Sequence, residues 1–276
     1  MLYPKQIAYT LLLVTMVLLK RPMFSHALAT SNGIKTRSFV FTPKTALEKP
    51  KLVIIGGCPG TGKSTFGMSV ALDQGILKCI STDTIRAVMR SFIPKNISPA
   101  LHRSSYAQVT DKDDPVHSWL ETCQVLEKSV EEIVVDSIAR HQGLVLEGVS
   151  IAPAKKLIEM WEAGGGIATG CILVVSNPDT HKALLKRRGF LSGKTSEQSI
   201  KDEKKIAAFD RIRKIQDEII KLAHESNWIM IEQKIEPDPL EIIANKLTEE
   251  DCAPSFFKTN ENANENGETQ RTSPAA

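Results

Sequence analysis

The first 47 residues contain no aspartate or glutamate; the first acid in the chain is Glu48. Six basic residues occupy that stretch (Lys5, Lys20, Arg21, Lys35, Arg37 and Lys44), so the formal net charge of +3 belongs to the leader alone. The remainder carries 29 basic against 32 acidic residues. Without a basic excess, that body lacks the electrostatic footprint that phosphate-backbone binding needs, which argues against long nucleic acids as partners. The five cysteines (Cys58, Cys79, Cys123, Cys171, Cys252) are odd in number, widely spread and free of any C-x-x-C pair. That pattern indicates neither a disulfide framework nor a zinc site, and fits a reducing compartment. No internal repeat is present, which removes solenoid and propeller architectures.

What remains is ordinary globular material. A chain of 276 residues, 42% hydrophobic and 24% charged, can bury a sizeable core in one larger domain or two small ones. Ile7 to Leu19 is a 13-residue apolar run, short for a membrane span and closer to the apolar region of a secretory signal. Ala27-Leu28-Ala29 follows as a small-x-small site, and Thr30 to Leu47 is basic, hydroxyl-rich and acid-free, as in organelle transit peptides. Signal followed by transit resembles the two-part presequences of algae with complex plastids. The expectation is an organelle, with a plastid first; a mitochondrion, or membrane anchoring through residues 7–19, is the alternative.

The body reads as alternating strands and helices. Leu52 to Gly56, Cys79 to Ser81, Leu144 to Leu146, Cys171 to Val175 and Trp228 to Ile231 are short apolar strand candidates. A helix is expected near Lys63, a second over Asp83 to Ser91 behind Thr82 as N-cap, and a long amphipathic one over His117 to Gln142. Phe92 to Pro115, with three prolines, reads as irregular. Such alternation predicts an α/β fold with a parallel β-sheet flanked by helices on both faces. The expected division is a leader over 1–48, one domain over 49–250 and a tail over 251–276, too polar to repay its ordering entropy.

Gly57-Cys58-Pro59-Gly60-Thr61-Gly62-Lys63-Ser64, followed by Thr65, fits G-x-x-x-x-G-K-[ST] between a strand and a helix. Its glycines let backbone N–H groups turn inward around phosphate oxygens, and the helix adds its positive dipole end. The fold expected of the domain is therefore a P-loop NTPase, of the nucleoside and small-molecule kinase type. The loop Gly57–Thr65 would bind ATP, with Lys63 neutralising the β- and γ-phosphates and Ser64 ligating Mg²⁺. Cys58 reads as a small loop-filling residue before a redox thiol.

Four further segments bear on the phosphoryl acceptor. Asp83 follows a strand at the edge where ligands of open α/β sheets bind, and Arg86 projects from the same helix face. They suit a base that orients a hydroxyl and a guanidinium that holds an anion; the alternative is a dipole-complementing acid paired with a surface arginine. Glu147 ends a Walker-B-like strand, where an acid orders the water shell of Mg²⁺. His181 to Arg188 is a basic segment able to bring Arg187 or Arg188 to the transferring group, or else a solvated helix face. In Phe209 to Gln216, Arg211 and Arg213 border the apolar stripe of Phe209, Ile212, Ile215 and Ile219.

These pieces, taken with Ile80 to Arg86, Leu101-His102-Arg103-Ser104-Ser105-Tyr106, Leu146-Glu147-Gly148-Val149 and Ile212-Arg213-Lys214-Ile215-Gln216, run in the order of a known family. Over about 160 residues the chain resembles the archaeal 2-phosphoglycerate kinases and their plant low-phytic-acid-type relatives. More distantly it resembles zeta-toxin-like kinases, in which the acid after the threonine serves as base. The resemblance implies transfer of the γ-phosphoryl of Mg-ATP to a small phosphorylated or carboxylated hydroxy acid. It also implies that Asp83 is catalytic beside Lys63, and that Arg86, His102, Arg103 and Arg213 grip the acceptor. The family's acid after the histidine is Arg103 here and its histidine after Val149 is Ser150, so both departures fall on the acceptor side. A nucleotide-binding regulatory protein with little or no kinase activity is the alternative.

Overall fold

The apolar runs found in the sequence pair into a single parallel sheet. In the computed structural model, residues 48–108, 113–191, 206–232 and 237–252 are described, without the side chains of 187–191 and 252, and all fall in one compact unit. The predicted leader (except Glu48) and the tail beyond Cys252 lie outside the described residues. The strands are β1 (Lys51–Gly57), β2 (Lys78–Ser81), β3 (Leu144–Glu147), β4 (Ile167–Val174) and β5 (Ile229–Glu232), in the order β2-β3-β1-β4-β5. The helices are α1 (Lys63–Asp73), α2 (Thr82–Phe92), α3 (Pro99–His102), α4 (Pro115–Ala139), α5 (Lys156–Ala163), α6 (Pro178–Leu191), α7 (Phe209–Glu225) and α8 (Pro239–Cys252).

Alternation along β1 divides the core in two. Leu52 and Ile54 point to one face, with Trp119, Leu126 and Val134 of α4, Trp161 of α5 and Ile212, Ile215 and Ile219 of α7. Val53 and Ile55 point to the other, with Val70 of α1 and Ile243 and Leu247 of α8. Helices therefore cover both faces, as the near-continuous apolar strands require.

Several boundaries differ from the expectation for local reasons. Helix α2 begins at Thr82, not Asp83, because the Ser81 hydroxyl accepts the Asp83 N–H at 3.2 Å; Ser81 is the cap and Thr82 is buried. Helix α4 begins at Pro115, where Asp114 accepts the N–H groups of Val116 and His117 and proline needs no donor. It ends before Gln142, with His141 at φ 50°. Strand β4 starts four residues early, at Ile167, because Ile167 to Gly170 pair with Lys51 to Ile54 of β1; the glycine in that stretch leaves room for the Trp228 indole, and a Cβ there would lie 2.3 Å from it. Pro99–His102 forms a helical turn inside the segment read as irregular, and α8 carries the domain to Cys252.

Register brings the carboxyl ends of the central strands level. Glu147 pairs with Ile55 of β1 on one side and with Ser81 of β2 on the other. The glycine-rich loop, the start of α2 and the end of β3 thus share one edge of the sheet. The chain turns there from β1 out to β2 and later crosses back to β4, which is the crevice where open α/β sheets bind ligands.

Candidate active site

The loop from Gly57 to Gly62 turns through left-handed backbone at Gly57, Gly60 and Gly62 (φ 137°, 86° and 80°), a path side-chain-bearing residues rarely follow. Gly62 caps α1, and Lys63 and Ser64 open that helix, so its unpaired N–H groups and dipole face the loop. Lys63 is buried; its ammonium donates to the Cys58 carbonyl at 2.6 Å and to the Thr61 hydroxyl at 3.4 Å. Thr61 also donates to the Cys58 carbonyl, at 3.0 Å. Thr65 lies exposed one residue further along α1.

Cys58 is fully buried and its thiol lies 3.4 Å from the Ile212 carbonyl, which can accept its hydrogen. Burial pushes the thiol up to about 12, opposed only in part by Lys63 and Arg213. It is therefore a neutral loop-filling residue, as expected, and a poor nucleophile.

Ser64 and Glu147, 83 residues apart in sequence, meet through a 3.0 Å hydrogen bond from the serine hydroxyl to the carboxylate. Glu147 is 4% exposed, and among the described residues no lysine or arginine pairs with it. Gly148 follows, its N–H bonded to the Ile55 carbonyl at 3.0 Å, and packs against Thr82 so closely that a Cβ would lie 1.8 Å from the Thr82 hydroxyl oxygen. That contact sets the start of α2, with the exposed Asp83, at the sheet edge where β3 ends.

The cations assigned to the acceptor are engaged elsewhere. Arg86 does not project with Asp83 into an open site. It is 5% exposed and donates to the carbonyls of Leu101 (2.9 Å), Ala100 (3.2 Å) and Arg103 and to the Ser105 hydroxyl (3.4 Å), so it organises the 100–105 turn. Burial, then the neighbouring Arg90, lowers its pKa to about 10. His102 shares a 2.7 Å bond with the Ile93 carbonyl, and Arg103 pairs with Glu121 while donating to the Ser118 carbonyl at 3.1 Å. Arg213 donates to the carbonyls of Val175 (2.7 Å) and Ser176 (3.2 Å) beyond β4, near enough to the loop for its charge to act on Cys58. The backbone of α6 includes Arg187 and Arg188, whose side chains lie outside the described residues.

Two residues given no site role of their own in the sequence belong to this region. Ser150 is buried with its hydroxyl 3.3 Å from that of Ser105, extending the polar contacts of Arg86 toward β3. His181 is fully buried against the Pro59 carbonyl at 2.9 Å. A histidine four residues before Leu185 on a helix after a predicted strand was the available signal for it.

A parallel sheet ordered β2-β3-β1-β4-β5, a glycine-rich lysine loop after its central strand and a buried acid on the neighbouring strand define a P-loop kinase. No protein-family model matches the chain. The 2-phosphoglycerate kinase of Thermococcus kodakarensis is 31% identical over 206 residues, 72% of this chain and 67% of that protein. The chain belongs to the 2-phosphoglycerate kinase family. Its relative from Methanocaldococcus jannaschii, also a 2-phosphoglycerate kinase, is 24% identical over 236 residues, 84% of this chain and 74% of that one. Among solved structures, a gluconokinase from Sinorhizobium meliloti aligns at TM-score 0.37 with 17% identity over 72% of this chain and 90% of its own. A shikimate kinase from Aquifex aeolicus aligns at 0.38 with 12% identity over 72% and 96%.

Proposed function

We propose that this protein transfers the γ-phosphoryl of Mg-ATP to the hydroxyl of a small anionic acceptor, and that 2-phosphoglycerate, which names its relatives, is the first acceptor to consider. The observation that carries this reading is the Ser64–Glu147 bond at the carboxyl edge of the sheet, beside the phosphate loop.

The donor set there is all oxygen: one hydroxyl and one buried carboxylate without a cationic partner among the described residues. That chemistry fits Mg²⁺, which takes few protein ligands and completes its shell with water and substrate phosphates. Among the described residues no three metal-ligating side chains come together, and such a site needs none. When bound, Mg²⁺ neutralises charge on the β- and γ-phosphate oxygens. Ser64 and Glu147 would hold it. The loop N–H groups and Lys63 bind the phosphates, and Asp83, exposed at the same edge, orients the acceptor hydroxyl and takes its proton. The test is ADP release by the full-length protein with Mg-ATP and a panel of 2-phosphoglycerate, 3-phosphoglycerate, inositol phosphates and nucleosides. Strong stimulation by 2-phosphoglycerate supports the reading, and stimulation by another acceptor replaces the substrate within it.

A second reading, nucleotide binding with slow or no transfer, is favoured by one observation: Arg86, His102 and Arg103 are all bonded within the protein. ATP binding without acceptor-stimulated ADP release above a Lys63→Ala background would favour it.

A further inference from the structure

The loop's outward carbonyls are satisfied in two ways. A loop that turns its N–H groups toward phosphate must turn carbonyls away, and a buried carbonyl needs a donor. The Cys58 carbonyl takes Lys63 and Thr61 from within the loop. The Pro59 carbonyl takes its donor from 122 residues away, the ring Nε2 of His181 on α6, at 2.9 Å. Because a carbonyl only accepts, that contact assigns the ring proton to Nε2. The imidazole is fully buried, edge-on to Phe209 of α7 with centroids 5.5 Å apart, and Nδ1 has no hydrogen-bond partner among the described residues. Leu185, one turn further along α6, lies against Gly60, where a Cβ would come within 2.8 Å of its methyl. Two successive turns of α6 therefore rest on two adjacent loop residues, one by a directional bond and one by apolar contact.

We propose that His181 is a positioning residue for nucleotide binding: its Nε2–H fixes the Pro59 carbonyl outward, and so keeps the following loop N–H groups turned toward the phosphates. The proposal rests on the ATP reading of the loop. Neutral imidazole is the form this role requires. Burial, reinforced by the charges of Arg213 and Lys63 and opposed by the Pro59 bond, holds its pKa below the usual histidine value. At neutral pH the proton stays on one nitrogen, and the surrounding packing leaves that nitrogen one acceptor.

The experiment is calorimetric titration of the full-length protein with Mg²⁺ and a non-hydrolysable ATP analogue, comparing wild type, His181→Leu and His181→Gln. Leucine keeps buried apolar volume and loses the donor, whereas glutamine offers an amide N–H at similar reach. The expected result is about tenfold weaker binding for His181→Leu and recovery to within about threefold of wild type for His181→Gln. Leu and Gln variants of equal affinity, both intact or both impaired, would overturn it. If His181→Leu does not fold, the ¹⁵N spectrum of wild type decides: the proton on Nε2, with a shift at that nitrogen on adding the analogue, is the expected result. The proton on Nδ1, or no response at Nε2, overturns the proposal. Absence of analogue binding by wild type would instead overturn the ATP reading, and the proposal with it, which separates the two failures.

Discussion

Gly148→Ala tests how closely the two acids at the sheet edge depend on one contact. A Cβ at residue 148 would lie 1.8 Å from the Thr82 hydroxyl oxygen, 2.8 Å from its Cβ and 3.0 Å from its methyl. Ordinary separations are about 3.5–4 Å, so the two segments must part by roughly 1.5–2 Å. Neither is easily moved. The Gly148 N–H is bonded to the Ile55 carbonyl, Ser81 is in register with Glu147, and Thr82 is fully buried at the first turn of α2. Overpacking of this kind costs about 1–3 kcal/mol, and a pinned backbone on both sides places this site toward the upper end. The displaced residues are the immediate neighbours of Glu147 and Asp83, so the strain falls on the two acids to which the proposed reaction gives metal binding and proton removal. A shift on the order of 1 Å in a catalytic group can cost about a hundredfold in rate. Urea unfolding should report the loss of stability, and ADP release under saturating Mg-ATP the loss of turnover. Thr82→Ala combined with Gly148→Ala should restore part of the stability only, since the Thr82 Cβ remains too close. A Gly148→Ala protein within about 0.5 kcal/mol of wild type, the range of an unremarkable surface substitution, and equally active would refute this reasoning.

Thr82→Val removes a buried hydroxyl that has no partner among the described residues, and should leave stability equal or higher; a clear loss in urea unfolding contradicts that. Lys63→Met should reduce ADP release to background while circular dichroism stays unchanged. Retained activity would remove the phosphate loop from the mechanism. Among the described thiols, Cys79 is exposed, whereas Cys58 is buried and Cys123 half-buried, both with pKa values pushed up to about 12 by burial. Alkylation of native protein at pH 8, read by peptide mass spectrometry, should therefore reach Cys79 before Cys58, Cys123 or Cys171, and early labelling of Cys58 would be the contrary result. Glu121 titrates below its usual value because Arg103 bonds its carboxylate. The stabilisation is then present above the unfolded-state pKa and lost as pH falls through the lower folded one. Glu121→Gln should accordingly be less stable than wild type at pH 7, with the difference closing below about pH 4; a gap that persists in acid would point to packing instead.

The central strands β1, β3 and β4 were legible because each is an apolar run buried on both faces, and a buried parallel strand tolerates little else. Where a strand contains small residues for a packing reason, as at Gly170 under Trp228, the same rule hides its start. The phosphate loop was legible because backbone geometry restricts residue type: three left-handed positions call for three glycines. The pairing of Ser64 with Glu147 was foreseeable only in outline, from two residues expected at one metal; its geometry comes from the β1–β3 register.

The acceptor side shows why charge in a sequence is a weaker guide than glycine. An arginine at helical spacing from an acid suggests a ligand grip, yet the nearest carbonyls compete for the same donors. Arg86 has four of its bonds supplied by residues 100–105, a turn that has no strand or long helix to satisfy its own backbone. A buried guanidinium with that many partners is costly to withdraw, because the carbonyls of Ala100 and Arg103 would lose this donor, whereas that of Leu101 keeps a second from Arg90. Among the described residues Arg213 is bonded to two carbonyls, at the rim of β4, and it is less buried. Of the arginines with described side chains and assigned to the acceptor, it is the one whose release toward an anion would disturb least. Arg213→Ala should therefore raise the acceptor KM more than it lowers stability, whereas Arg86→Ala should do the reverse. Paired acceptor kinetics and urea unfolding of the two variants distinguish a ligand-gripping arginine from a turn-building one, and identical behaviour of the two would show that counting internal bonds does not separate these roles.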